Sequence, residues 1–106
     1  MNFDGLSGDR ALYGVSVAAE LTGVQPQMLR AYEAKGLIEP YRTGGGTRRY
    51  SGDDLARVGR ITTLLAAGLN LAGVDHVLQL EAETQRLQAE LDALHGRQRR
   101  RKKDQQ

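Results

Sequence analysis

Apolar residues recur at helical spacing in the first part of the chain, with polar residues between them. The first such segment predicts a short helix that ends at Gly23. A second helix is predicted to begin at Pro26, because the missing N–H of proline costs nothing in a first turn. It should end at Gly36, since glycine tolerates the left-handed conformation of a helix C-terminus. The inward positions of these two helices are Val17, Ala18, Leu21, Leu29 and Tyr32.

The pattern changes after the second helix to two short extended segments. Residues 38–42 and 48–50 predict two strands, and the glycine-rich residues 43–47 predict the hairpin tip that joins them. Ser51 and Asp54 then match a capping box, which predicts the start of a third helix. The apolar positions of that helix are Leu55, Val58, Ile61 and Leu65.

A fourth helix is predicted to begin at Leu71, with Asn70 as its cap, and to end at Gly96. From residue 77 its apolar positions alternate at three and four residues, which is the spacing of a coiled-coil seam. We call these positions the heptad seam: Val77, Leu80, Thr84, Leu87, Leu91 and Leu94. The apolar members are predicted to pack against a second copy of the chain.

These elements together predict a mostly α fold, a winged helix-turn-helix with a small β-hairpin wing and a C-terminal dimerisation helix. Residues 1–12 have little periodicity and predict a flexible N-terminal arm. The winged helix-turn-helix then occupies residues 13–69, and the helical dimerisation segment residues 70–96. Residues 97–106 predict a basic, disordered tail.

Charge distribution adds a candidate partner to this fold. The net charge is only +2, but lysine and arginine collect in two places, residues 42–49 and residues 97–103. Clusters of positive charge attract polyanions, and a basic wing beside a short outward helix is typical of DNA binding. Gln27 and Arg30, on the outward face of the second helix, are residue types that form paired hydrogen bonds with base edges.

Composition excludes several other classes of function. The chain has no cysteine, which excludes a disulfide framework and a thiolate metal site. His76 and His95 lack ligands at metal-binding spacing, so we predict no metal site and no cofactor. Asp53 and Asp54 follow Ser51 directly, which favours helix capping over catalysis, and we predict no enzymatic activity. Without a membrane-length apolar run or a signal pattern, the chain is predicted to be cytoplasmic.

The segment from residue 29 to residue 42 reads LRAYEAKGLIEPYR, and the wing ends in RRYS. Both runs closely resemble the signature of the MerR family of bacterial transcription factors. Within that family the chain is most similar to the heat-shock repressor (HspR) branch, on the features VSVAAEL, TGGG and NLAGV. The resemblance extends to Leu80. One departure is Ala31, where the family often has a second aromatic residue.

The resemblance implies which residues contact DNA. The second helix would be the recognition helix and would contribute Gln27, Arg30, Tyr32 and Lys35. The wing and the third helix, which would touch the flanking backbone, would contribute Arg42, Thr47, Arg48, Arg49, Arg57 and Arg60. The dimer seam would consist of Val77, Leu80, Leu87, Leu91 and Leu94, with the two helices antiparallel.

The resemblance also implies a function. We expect a homodimeric repressor of heat-shock or chaperone genes that binds double-stranded DNA at an inverted repeat. A DnaK-type chaperone would be its corepressor. Two alternatives stay open from the sequence. One is a MerR-type activator that distorts promoter DNA, and the other is a MerR-like adaptor that binds a chaperone and no DNA.

Overall fold

The computed structural model describes residues 8–105, which divide into two compact units. The first unit ends at Leu71 and contains a three-stranded sheet and three helices. The second begins at Ala72 and is a single long helix. The elements are β1 (Ala11–Tyr13), α1 (Val15–Thr22), α2 (Pro26–Ala34), β2 (Tyr41–Arg42), β3 (Arg48–Ser51), α3 (Gly52–Ala66) and α4 (Leu71–Asp104). The predicted fold class, a mostly α winged helix-turn-helix, is confirmed.

The sheet has one more strand than the sequence predicted. Its order is β1-β3-β2, with both pairs antiparallel, so β3 is central and the β2–β3 hairpin forms the wing. Ala11 pairs with Ser51, so the prediction of a flexible arm as far as residue 12 is wrong for that segment. Strand β1 was missed because its partner strand lies about forty residues further along the chain. Its three residues are also too few to show an alternation of apolar and polar positions. Residues 1–7 of the predicted arm lie outside the described residues.

Helices α1 and α2 form the helix-turn-helix, with a short connection closed by Gly23. Gly23 has a φ of 73°, in the left-handed region that favours glycine, and its N–H donates to the carbonyl of Ala19. Helix α1 begins at Val15, with Gly14 as its N-cap residue. Pro26 is the first residue of α2, as predicted. Gly36, with a φ of 74°, follows its end.

The first unit has a continuous apolar core. The buried residues of helix α3 recur at every third position. Leu64 is therefore buried, whereas the sequence predicted Leu65 at that point of the core. The reciprocal hydrogen bonds of Ser51 and Asp54 at its start confirm the predicted capping box. The buried apolar side chains of this unit are Ala18, Val24, Leu29, Tyr32, Leu37, Ile38, Tyr50, Leu55, Val58, Ile61 and Leu64.

Helix α4 starts at Leu71 as predicted but continues past Gly96 to Asp104. The prediction of a disordered tail from residue 97 is therefore wrong as far as Asp104. A single helical glycine costs only about 1 kcal/mol relative to alanine. The arginine, lysine and glutamine residues that follow it are good helix formers. The positive charges of Arg101, Lys102 and Lys103 in the last turn also interact favourably with the helix dipole.

Candidate nucleic-acid interface

The outward face of α2 is set by the two side chains that this helix buries. Leu29 is fully buried and Tyr32 is 3% exposed, so both face the core. Helical geometry places Gln27 and Arg30 on the opposite face, and both are exposed, as is Lys35 just beyond the helix. The sequence therefore assigned Gln27, Leu29, Arg30 and Tyr32 to the correct sides of α2. For Tyr32, burial of the ring leaves only the hydroxyl as a potential contact.

The tip of the wing is held by hydrogen bonds of its own. The Thr43 N–H donates to the Thr47 carbonyl at 2.8 Å, and the Thr47 N–H donates to the Thr43 hydroxyl at 3.2 Å. Gly46 completes the turn with a φ of 82°, which requires glycine. The predicted hairpin tip is thus a closed turn, with an exposed Thr47 at its base.

A carboxylate from α2 pairs with two of the predicted DNA-binding arginines. Oε1 of Glu33 lies 2.8 Å from Nη2 of Arg42, and Oε2 lies 2.5 Å from Nε of Arg48. The Glu33 side chain is only 19% exposed and lies beside the wing. Both partners are distant along the chain, so helical spacing gave no signal for these ion pairs.

The charge state of Glu33 follows from these contacts. Partial burial alone raises the pKa of its carboxyl. The hydrogen bonds and positive charges of Arg48 and Arg42 outweigh that effect, and they hold the pKa below its ordinary value. Glu33 is therefore ionised at neutral pH, as the two ion pairs require.

The remaining predicted arginines occupy different environments. Arg49 is exposed on β3, and its guanidinium passes so close to Gly14 that a Cβ there would lie 3.0 Å from Nη1. The Nε of Arg57 donates to the carbonyl of Leu37, which ties α3 to the segment after α2. Arg60 is exposed on the same helix. The structure thus brings Arg42, Arg48 and Arg49 together on the wing.

Tyr50 lies under the wing with its hydroxyl in an unusual state. The side chain is fully buried, and the structure shows no hydrogen-bond partner for its hydroxyl oxygen. Burial raises the pKa of this phenol, and the negative charge of Glu33 adds to the effect. Burial of a hydroxyl without a hydrogen-bond partner costs free energy in the folded state, so removal of this hydroxyl should have a measurable effect on stability.

The heptad seam on α4 is largely open to solvent. Leu87, Leu91 and Leu94 are each 47% exposed and Leu80 is 66% exposed, while Val77 is half-buried. A shallow groove along this helix is lined by Val77, Leu80, Glu81, Thr84 and Gln85. Such a row of exposed leucines is typical of a surface that a partner helix covers.

Two other kinds of site receive no support from residues 8–105. Within that range, no three or more histidine, aspartate or glutamate side chains group closely enough to hold a metal ion. The helices in the same range also include none that is long and apolar enough to cross a bilayer.

Comparison with known proteins places the chain in a family. The model of the MerR HTH family of regulatory proteins matches residues 13–81. A Streptomyces coelicolor protein named as heat shock protein HspR is 42% identical over 85 residues, covering 79% of this chain and 56% of that protein. The regulator GlnR of Bacillus anthracis is 34% identical over 70 residues, covering 66% of this chain and 54% of that protein. The chain spans about half the length of these curated relatives.

Solved structures show the same fold. A MerR-family regulator from Listeria monocytogenes superposes with a TM-score of 0.61 at 30% identity, covering 74% of this chain and 63% of that one. HiNmlR, a regulator described as lacking the sensor domain and bound to promoter DNA, gives 0.57 at 22% identity, covering 77% and 74%. At 22% identity, the similarity to HiNmlR shows a shared fold and nothing more. The family match and the fold agree, and the chain belongs to the MerR family of helix-turn-helix regulatory proteins.

Proposed function

We propose that this chain is a sequence-specific, double-stranded-DNA-binding transcriptional repressor. The observation that carries the proposal is the outward pair Gln27 and Arg30 on α2, with the arginine-bearing wing beside it. Arginine and glutamine can each form two hydrogen bonds with one base edge in the major groove. Arg49 on the wing and Lys35 after α2 supply positive charge for phosphates. HiNmlR, which shares this fold, is bound to promoter DNA in its structure.

The active species in this proposal is a homodimer. A single DNA-binding module of this kind buries roughly 600–1,000 Å² of protein surface on DNA, which is low for strong specific binding. Two copies related by a two-fold axis double the contacts and match an inverted repeat. The exposed leucines of the heptad seam supply the surface through which two α4 helices would associate.

The target genes in this proposal are those of the heat-shock response. The similarity to the protein named HspR, over 79% of this chain, supports that assignment. A DnaK-type chaperone is the proposed corepressor, so unfolded protein that occupies the chaperone would relieve repression. Repression itself would follow from occupation of promoter DNA.

Selection of DNA from a randomised library by the purified chain tests the binding function, and a map of binding sites in the source genome tests the targets. The proposal predicts an enriched inverted repeat that lies upstream of chaperone genes. Failure to enrich any sequence would favour the chaperone-binding adaptor instead. Enrichment with promoter untwisting and higher transcription would favour the activator.

Electrophoretic titration tests the proposed corepressor. A DnaK-type chaperone should tighten the binding of this chain to its selected DNA, and added unfolded protein should reverse that effect.

A further inference from the structure

The ion pairs of Glu33 join the second helix to both strands of the wing. Glu33 lies in the last turn of α2, Arg42 in β2 and Arg48 in β3. Each carboxylate oxygen accepts from a different arginine, at 2.8 Å and 2.5 Å. The side chain of Arg48 is 27% exposed and that of Arg42 49%, so the Arg48 pair is the more shielded from solvent. One side chain therefore bridges three elements.

The register of the wing explains why a carboxylate is needed there. Arg42 and Arg48 are direct cross-strand partners in the β2–β3 hairpin. Like charges directly opposite each other destabilise a strand pair. The Glu33 carboxylate between them replaces that repulsion with two charge-assisted hydrogen bonds. The same carboxylate takes one N–H of each guanidinium and offsets part of the positive charge that the two arginines would otherwise offer to phosphates.

We propose that Glu33 is a positioning residue: it fixes the wing relative to the recognition helix and withholds Arg42 and Arg48 from phosphate. This inference rests on the proposed DNA-binding function. As a consequence, Arg49 supplies the main phosphate contact of the wing, whereas Arg42 and Arg48 hold the wing in position against α2. The ion pairs thereby lower the affinity for DNA of random sequence and raise the ratio of affinities for selected and random DNA.

The test uses the full chain with Glu33→Gln, which keeps the side-chain size and removes the charge. Glu39→Gln is the matched control, because Glu39 is an exposed glutamate just before β2 and its loss changes net charge equally. Affinity is measured against salt concentration on a duplex of random sequence and on the duplex that the wild type selects from a library. Circular dichroism establishes that each variant is folded.

The released arginines should change both measurements for Glu33→Gln. Each arginine that gains a phosphate steepens the plot of log affinity against log salt by about 0.9. We therefore expect the slope on random DNA to steepen by about one to two. The ratio of affinities for selected and random DNA should fall roughly tenfold, as for one misplaced base contact. Glu39→Gln should change neither measurement.

A second pair of variants keeps the test decisive if Glu33→Gln does not fold. Arg49→Ala should reduce the salt slope by about one, the effect of losing one phosphate contact. Arg48→Ala should reduce the slope by less than half of that amount, because its guanidinium is already paired.

Two results would overturn the inference: equal effects of Arg48→Ala and Arg49→Ala on the slope, or Glu33→Gln behaving like Glu39→Gln. If the wild type discriminates no sequence, the proposed function fails. The salt slopes on random DNA would then still decide the role of Glu33.

Discussion

Ser51 and Asp54 each accept a hydrogen bond from the other residue's backbone amide. The Asp54 N–H donates to the Ser51 hydroxyl at 3.0 Å, and the Ser51 N–H donates to the Asp54 carboxylate at 2.9 Å. Ser51 is also the last residue of β3 and the register partner of Ala11. The wing strand, the added strand β1 and the start of α3 are therefore fixed at a single residue.

Replacement of Ser51 by alanine should destabilise the first unit. Ser51→Ala removes the acceptor for the Asp54 N–H, and loss of such a cap costs about 1 kcal/mol, within a range of about 0.5–2. Urea unfolding measures the change in the free energy of unfolding. Ser16→Ala, an exposed serine within α1, is the control and should stay within about 0.5 kcal/mol of the wild type. Equal stability of the two variants would contradict the role of the cap.

Tyr50→Phe should leave the free energy of unfolding unchanged or raise it by up to about 1 kcal/mol. The substitution removes a buried hydroxyl without a partner, and an unpaired buried polar group costs free energy in the folded state. The ring, which fills the core under the wing, is retained. Thermal and urea unfolding both report the change. A loss of more than about 1 kcal/mol would mean that the hydroxyl does have a partner, such as a buried water molecule.

The Glu33 ion pairs should make stability depend on pH. Because the pKa of this carboxyl is lowered in the folded state, its contribution is present above the unfolded pKa, which is about 4.5. The contribution is lost as the pH falls through the lowered pKa. The difference in unfolding free energy between wild type and Glu33→Gln should therefore be constant near neutral pH and shrink in acid below about pH 4. A difference independent of pH would show that the pairs add no stability.

Leu87→Asp should convert the proposed dimer to a monomer. An aspartate at this position would place a charge in the heptad seam, where burial without a partner is costly. Ala89→Asp is the matched control, since Ala89 is exposed and lies outside the seam on the same helix. Sedimentation velocity measures the oligomeric state. A Leu87→Asp protein that remains dimeric would place the interface elsewhere.

Local patterns in the sequence predicted the features that depend on neighbouring residues. The Ser51–Asp54 cap, the start of α2 at Pro26 and the burial of Leu29 and Tyr32 each follow from spacing within one or two turns. Long-range pairing gave no such signal. The contact of Ala11 with Ser51 and the ion pair of Glu33 with Arg48 join residues that only the folded chain brings together.

The end of α4 was placed too early for a different reason. Gly96 resembles a helix terminator in the sequence, but a terminator needs a favourable alternative for the residues that follow. Arginine, lysine and glutamine residues propagate a helix well, and their charge suits its C-terminus. The helix propensity of the residues after Gly96 therefore outweighs the cost of one glycine within the helix. The positive charge of residues 97–103, from which the sequence predicted attraction to a polyanion, is the same in a helix as in a coil.

In the proposed function, α2 distinguishes DNA sequences through Arg30. The most direct test of this role is the ratio of affinities for the selected duplex and a random duplex, measured for wild type, Arg30→Ala and Arg97→Ala. Arg97 is an exposed arginine on α4, so its variant controls for the loss of one positive charge. We predict that Arg30→Ala lowers the ratio by the equivalent of about 1–3 kcal/mol, while Arg97→Ala leaves it unchanged. An unchanged ratio for Arg30→Ala would contradict this role.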